Sequence, residues 1–347
     1  MSSVFEEDIQ AVLSDTNIEW NSFRNRTVLI TGATGLVGGI LVRVLSAANE
    51  QFDLRMRLIA HGRDVAKCES IAKRYNIETI CGDIRLPLET KCKIIDYIFH
   101  CAAMTGSADM LARPVDVIST AIDGTRNIIE LAKEKQCSGV VFLSSMEVYG
   151  QTDLSEVCEK DLGYIDLSNP RSSYPESKRF CESLCVAYAA QYGLPIKIAR
   201  LARTFGAGTP NDKRDTRVAN QFARKAITNE DIELHTPGNS VANCCYTTDV
   251  IRGLLSIMLK GENGEAYNIA TPLASATIRE MAEIVAKDVC GGKIKVIVNV
   301  PEDIERKGYA PDVGYTLNAD KLKSLGWSAE YGLKDMYKRM IYDWRQC

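Results

Sequence analysis

Tyr174 and Lys178 stand four residues apart in Tyr174-Pro175-Glu176-Ser177-Lys178, at the start of a stretch whose apolar positions Phe180, Leu184 and Tyr188 recur at helical spacing. On a helix that interval places both side chains on one face. A free phenol has a pKa of about 10, too high for a base at neutral pH. An adjacent ammonium, together with a positively charged ring nearby, favours the phenolate. The chemistry this suits is removal of a proton from an alcohol while hydride leaves the same carbon. Upstream, the apolar run Val141-Phe142-Leu143 ends in Ser144-Ser145. A serine at such a strand end can donate to, or accept from, the same substrate hydroxyl.

Hydride removal needs an acceptor, and Thr31-Gly32-Ala33-Thr34-Gly35-Leu36-Val37-Gly38 has the form of a dinucleotide cradle. It follows the apolar run Thr27–Ile30 and opens a helix read from Ile40, Leu41, Val44 and Leu45. Glycines three residues apart allow a tight turn and close approach of backbone to a pyrophosphate, and the helix N-terminus adds amide donors and a positive dipole. Gly32, Thr34, Gly35, Leu36, Val37 and Gly38 are therefore the candidate phosphate contacts. At the end of the next strand, NAD-binding chains usually carry a carboxylate for the ribose. Here Gly62-Arg63 stand there, and Arg63 suits a 2′-phosphate, which leans the choice between NAD and NADP toward NADP. Gly82-Asp83-Ile84 suits an adenine-edge contact. His100-Cys101-Ala102-Ala103 ends a further strand in small residues, leaving room beside a flat cofactor.

Six short apolar runs position these residues: Thr27–Ile30, Met56–Ala60, Glu78–Cys81, Tyr97–Cys101, Val140–Leu143 and Ile196–Leu201. Separated mostly by helical stretches, they predict a parallel sheet covered on both faces. Phe5, Ile9, Val12 and Leu13 predict a short amphipathic helix ahead of them. After Thr204 the rhythm breaks into the loop Gly206–Asp215, then into helix patterns at Ile278–Val289 and Asp335–Trp344 and a strand at Lys293–Val298. The expected division is a helical lead-in over 1–25, a dinucleotide-binding body over 26–202 to which 243–262 returns, and a substrate lobe over 203–242 and 263–347.

Composition sets the outer limits. The chain has 347 residues, 42 Lys plus Arg against 45 Asp plus Glu, and a net charge of −3. That balance offers no basic field for nucleic acid and no polybasic membrane patch. No apolar run approaches the ~18 residues of a membrane span, and the first 25 residues lack the form of a signal peptide, so the expected location is the cytoplasm. Twelve cysteines without a CxxC pair read as small apolar residues in a reducing compartment, and three histidines argue against a His-rich metal site. Cys181 and Cys185, one turn apart, read as packing; no metal is expected.

Together the glycine loop, the strand-end serines and the Tyr/Lys pair resemble the extended short-chain dehydrogenase/reductase family, in its nucleotide-sugar epimerase, dehydratase and decarboxylase branch. The resemblance runs from about Arg26 to the C-terminus and is most specific in Thr31–Gly38, Asp96–Ala103, Ser144–Gly150, Tyr174–Lys178 and Tyr246–Asp249. It implies an α/β Rossmann-type, doubly wound parallel sheet with a smaller C-terminal substrate lobe, and a retained NAD or NADP. It makes Ser145 the catalytic hydroxyl, Tyr174 the base, and Lys178 its partner and a ligand of the nicotinamide ribose. Cys101, Ala102, Ala103 and Leu201 would line the cofactor, and Thr105, Ser145 and Met146 the substrate. The implied reaction oxidises a sugar C4 hydroxyl to a ketone, which acidifies C5–H or lets a C6 carboxylate depart as carbon dioxide. Ser145-Met146-Glu147-Val148-Tyr149-Gly150 resembles the segment of 4,6-dehydratases and glucuronate decarboxylases in which a glutamate acts on the C5 or C6 side, giving Glu147 that role. Met146 takes the place of an aspartate usual in dTDP-glucose dehydratases and argues against that substrate. The family also implies a homodimer through the Lys178 helix and the Pro114–Lys133 helix.

Four positions depart from the branch, the first being Arg203, which stands where an asparagine commonly touches the substrate diphosphate. Ala242, seven residues before Asp249, replaces an arginine that grips the substrate diphosphate. Tyr309-Ala310-Pro311-Asp312 lacks the usual arginine of that late segment, and Ala121 replaces the asparagine of Asn-Val-x-Gly-Thr. A buried dianion needs compensating charge, and Arg203 and Arg217, with Lys213 or Arg214, are the expected substitutes. The leading expectation is a dehydratase or decarboxylase, followed by a 4-epimerase. An NADP-dependent carbonyl reductase and a non-catalytic NAD(P)-sensing regulator are the further alternatives; the complete Ser145, Tyr174 and Lys178 set argues against the regulator.

Overall fold

The computed structural model describes residues 3–213, 215–300 and 312–346; Arg214 and Tyr309-Ala310-Pro311 lie outside the described residues. Seven parallel strands form the main sheet. From one edge to the other they are Ala266–Ile269, Ile196–Leu201, Gly139–Ser145, Tyr97–His100, Thr27–Thr31, Arg57–Gly62 and Glu78–Cys81. This is the doubly wound α/β sheet expected. Its continuous apolar runs are explained by cover on both faces: Val28, Leu29 and Ile30 are consecutive and all fully buried. Leu29 joins Ile59, Ile98 and Phe142 in the layer under the helices Pro114–Lys135 and Ser173–Tyr192. Val28 and Ile30 join Phe99 and Val141 in the opposite layer, under Leu36–Gln51 and Thr247–Lys260. The order reverses between Thr27–Thr31 and Tyr97–His100, and in such sheets ligands bind at the carboxyl ends of the strands beside that reversal.

The smaller lobe holds a three-stranded sheet of Ser275–Thr277, Val241–Tyr246 and Arg203–Phe205, with the first pair antiparallel and the second parallel. Two short parallel pairs join Val296–Val298 to Ile232–Leu234 and Thr316–Leu317 to Glu156–Val157. The helix read at Ile278–Val289 runs as Ile278–Ile284 and passes into a π-helical turn over Val285–Val289. One boundary is corrected: Ala266–Ile269 pairs with Ile198–Leu201 in the main sheet, so the chain returns to the dinucleotide-binding body for longer than 243–262. A four-residue strand at a sheet edge carries too short a pattern to declare its layer. The lead-in forms a helix, Val4–Leu13, with Phe5, Ile9, Val12 and Leu13 buried. The helix containing Ala121 is complete over Pro114–Lys135 despite the absent asparagine.

Candidate active site

The glycine loop leaves the first strand at Thr31. Gly32 has φ +66°, and a Cβ there would meet the Ala102 backbone at 2.8 Å. A Cβ on Gly38 would lie 2.5 Å from the Gly32 carbonyl oxygen. These two glycines let the turn, the following helix and the Cys101-Ala102 segment come together, as a pyrophosphate cradle requires. The helix Leu36–Gln51 begins at Gly35 without a side-chain cap, so its first-turn amides at Leu36, Val37 and Gly38 present donors to an anion. Thr34 lies beside Gly62, where a Cβ would meet its Cγ2 at 2.7 Å. The donor set and the close backbone approach fit a dinucleotide.

His100 is held between two threonines at the end of its strand. Its Nδ1 shares a 2.7 Å hydrogen bond with Thr31 Oγ1 and its Nε2 one of 3.2 Å with Thr125 Oγ1. Burial, helped by the Lys178 charge, lowers its pKa to about 3 and keeps the ring neutral. Asp83, expected at the adenine edge, forms an ion pair with Arg85, with Nη2 to Oδ2 at 2.6 Å, and that guanidinium holds its carboxyl below the usual range. Ile84 is buried against the Gly124 position of a neighbouring helix, where a Cβ would approach its Cγ2 to 2.9 Å; its side chain serves packing. Arg63 is exposed at the end of Arg57–Gly62, and its charge acts on Asp83.

The residues expected to transfer protons converge from two elements. Gly139–Ser145 pairs with Ile196–Leu201 so that Ser145 stands opposite Leu201. Ser145 Oγ accepts the Glu147 amide at 3.2 Å, capping the tight turn Met146–Tyr149. Tyr174 and Lys178 project from the helix Ser173–Tyr192 and are both buried. Lys178 Nζ donates to the Leu143 carbonyl oxygen at 2.6 Å and lies 4.7 Å from the Phe142 ring centroid and 5.9 Å from that of Tyr174. Burial lowers the Lys178 pKa.

The expected lowering of the phenol is not what the protein's own groups produce. Burial, and then the Glu147 carboxylate, push Tyr174 well above its usual value, while the Ser145 hydroxyl pulls weakly the other way. The Lys178 ammonium is committed to Leu143 and does not overcome this. A further positive charge beside the phenol is what would turn Tyr174 into a base.

Sequence reasoning missed Arg171. Three residues before Tyr174 and mostly buried, its Nη2 lies 3.5 Å from both carboxylate oxygens of Glu147, and its Nη1 3.5 Å from Met110 Sδ. The only available signal was its spacing of one turn from Tyr174. Tyr315 was also missed: fully buried, it is pushed up to about 12 by burial and Glu147, while Arg203 pulls it down. Behind Glu147, the buried pair Arg200–Glu182, with Nη2 to Oε2 at 2.6 Å, braces Tyr149 through a 3.0 Å bond from Arg200 to its hydroxyl.

Of the residues expected to line the substrate, Met146 is buried and Thr105 is exposed in the loop after Tyr97–His100. Arg203 pairs in register with Cys244 on the strand that carries Ala242, so Arg203, Cys244 and Ala242 share one sheet face. Arg217 points its Nε at the two oxygens of Asp215, at 3.0 and 2.9 Å. Arg203 is thus placed beside the missing arginine, whereas Arg217 is engaged with its neighbour.

The sequence pattern of the NAD dependent epimerase/dehydratase family matches residues 28–270. UDP-glucuronic acid decarboxylase 6 of Arabidopsis thaliana is 29% identical over 328 residues, covering 92% of this chain and 89% of that protein. The dTDP-D-glucose 4,6-dehydratase of Bos taurus is 24% identical over 336 residues, covering 94% and 90%. Among solved structures, the UDP-glucose 4-epimerase of Thermotoga maritima superposes with a TM-score of 0.76 at 22% identity, over 92% of this chain and 99% of that one. That likeness concerns the fold.

Proposed function

Because the chain belongs to the NAD-dependent epimerase/dehydratase family, we propose that this enzyme oxidises C4 of a nucleotide-linked sugar and then releases the C6 carboxylate of a uronate as carbon dioxide. A bound NAD or NADP supplies the hydride acceptor and later donor. Tyr174 takes the C4 hydroxyl proton, Ser145 orients that hydroxyl, and Lys178 holds the Tyr174 helix against the strand end. The resulting 4-ketone stabilises the electron pair left at C5 when carbon dioxide departs. A proton drawn from solvent and relayed through Glu147, or through a water it holds, then protonates C5, and Tyr174 returns its proton as C4 is reduced.

The observation that carries this reading is the convergence of Ser145, Glu147, Tyr174 and Lys178 with the arginine of Arg171 beside Glu147. A guanidinium at that place suits an anionic C6 group better than a neutral one. The similarity to glucuronic acid decarboxylases supports the same outcome. Glu147 and the dehydratase relative favour 4,6-dehydration as the second reading. Arg203 is proposed as the main contact of the substrate diphosphate, with Arg217 secondary. The exposed Arg63 supports NADP as well as NAD, which a competition titration between the two separates.

Exposed Val115, Ile118, Phe180 and Val186 on the adjacent helices Pro114–Lys135 and Ser173–Tyr192 support a homodimer through that face. The described cysteines are free thiols, and among the described residues no helix is long and apolar enough to cross a membrane; both support the cytoplasm as the place of action. A panel of UDP-, dTDP-, GDP- and CDP-sugars assayed by product mass tests the reading. Loss of carbon dioxide from a uronate supports it, loss of water favours the dehydratase, and a demand for stoichiometric NADPH overturns both.

A further inference from the structure

The helix Val4–Leu13 lies ahead of the family match at 28–270, yet it is built into the body of the molecule. Asp8 is fully buried; its carboxylate accepts from the Tyr246 hydroxyl and from Arg339 Nη2, with the Tyr331 hydroxyl at 3.3 Å. The Tyr246 oxygen in turn accepts the Ala207 amide at 3.3 Å, and Thr247 Oγ1 donates to the Ala207 carbonyl at 2.8 Å. One turn before Asp8, the Phe5 ring packs on Gly208, where φ is +81° and a Cβ would lie 2.5 Å from Phe5 Cζ. The Arg43 guanidinium stands 4.1 Å from the centroid of the same ring. From the C-terminal helix Leu333–Gln346, Asp343 accepts the Gly208 amide at 2.9 Å and Trp344 Nε1 donates to the Thr209 carbonyl at 2.6 Å. The turn Gly206–Thr209 is therefore gripped by side chains from both ends of the chain. It directly follows Arg203–Phe205 and leads toward Arg217.

We propose that Phe5 and Asp8 are positioning residues for the anionic end of the substrate: by fixing the Gly206–Thr209 turn they set the strand that carries Arg203. The inference rests on the reading of Arg203 as a diphosphate contact. A hydrogen bond and a ring contact made to a turn restrict its opening without touching the reacting carbon, so their loss weakens binding and leaves the chemical step intact. The two glycines in the turn are what admit such close partners: a side chain at Gly208 would displace Phe5, and one at Gly206 would meet the Tyr246 ring at 2.3 Å.

The test compares the full-length wild type with Phe5→Ala, Phe5→Leu and Tyr246→Phe by amide hydrogen exchange over residues 203–217 and by steady-state kinetics on UDP-glucuronate. Phe5→Ala and Tyr246→Phe are expected to speed exchange in Gly206–Thr209 and to raise KM about fivefold, with kcat within about twofold of wild type. Phe5→Leu restores most of both. Tyr246→Phe keeps the core volume and carries the test if Phe5→Ala does not fold. Unchanged exchange in a folded Tyr246→Phe protein, or a fall in kcat at unchanged KM, overturns the proposal. Exchange needs no substrate, so a wild type that turns over no sugar nucleotide sinks the functional reading alone, while the exchange comparison still decides whether these residues hold the turn.

Discussion

Lys178 donates its buried ammonium to the Leu143 carbonyl oxygen at 2.6 Å, tying the helix that carries Tyr174 to the strand that ends at Ser145. The bond makes the spacing of the Ser145 and Tyr174 hydroxyls a property of the fold. Burial lowers the Lys178 pKa below its ordinary value of 10.5, so the unfolded chain binds more protons as pH approaches 10.5 from below. Stability from this residue therefore rises with pH toward 10.5 and is lost as pH falls through the lowered folded value. Lys178→Met removes that component of the slope, which denaturant titrations at several pH values measure, and lowers kcat by about a hundredfold or more.

Gly38→Ala places a methyl group 2.5 Å from a backbone carbonyl that cannot rotate away. The glycine turn must open, and the amides of Leu36 and Val37 lose their aim. Dinucleotide affinity, followed by calorimetry, is expected to fall about a hundredfold or more, with far-ultraviolet circular dichroism showing a folded protein.

Arg203→Ala is expected to weaken nucleotide-sugar binding about tenfold, the loss of one charge-assisted contact. Arg217→Ala costs less, because its guanidinium is already satisfied by Asp215. Equal losses in the two variants contradict this ranking.

Glu147→Gln is expected to permit C4 oxidation while slowing product release from the 4-keto stage about a hundredfold, seen as a trapped keto sugar after a quench with borodeuteride. Arg171→Ala raises KM for a uronate more than for the corresponding neutral hexose, since the guanidinium discriminates by charge.

The residues legible in the sequence are those that a local spacing marks, whatever they touch in the fold. The glycine cradle, the Tyr174/Lys178 interval and the strand-end Ser145 declare themselves by local spacing, and the buried runs such as Val28–Ile30 declare a sheet covered on both faces. What was not legible depends on contacts across the fold. Arg171 matters because a turn 24 residues earlier brings Glu147 to it. Tyr315 and the edge strand Ala266–Ile269 reach their places through pairings with distant segments, which no spacing pattern reports. The raised Tyr174 pKa was hidden for the same reason: the desolvation that produces it exists only in the assembled site.

The most direct test of the central claim follows a deuterium label placed at C4 of UDP-glucuronate through one complete turnover. Tyr174-mediated oxidation and return predicts that the label reappears at C4 of a UDP-pentose, that one carbon dioxide is released per product, that dinucleotide is not consumed, and that Tyr174→Phe abolishes all three. Product carrying solvent hydrogen at C4, or turnover by Tyr174→Phe at the wild-type rate, contradicts it.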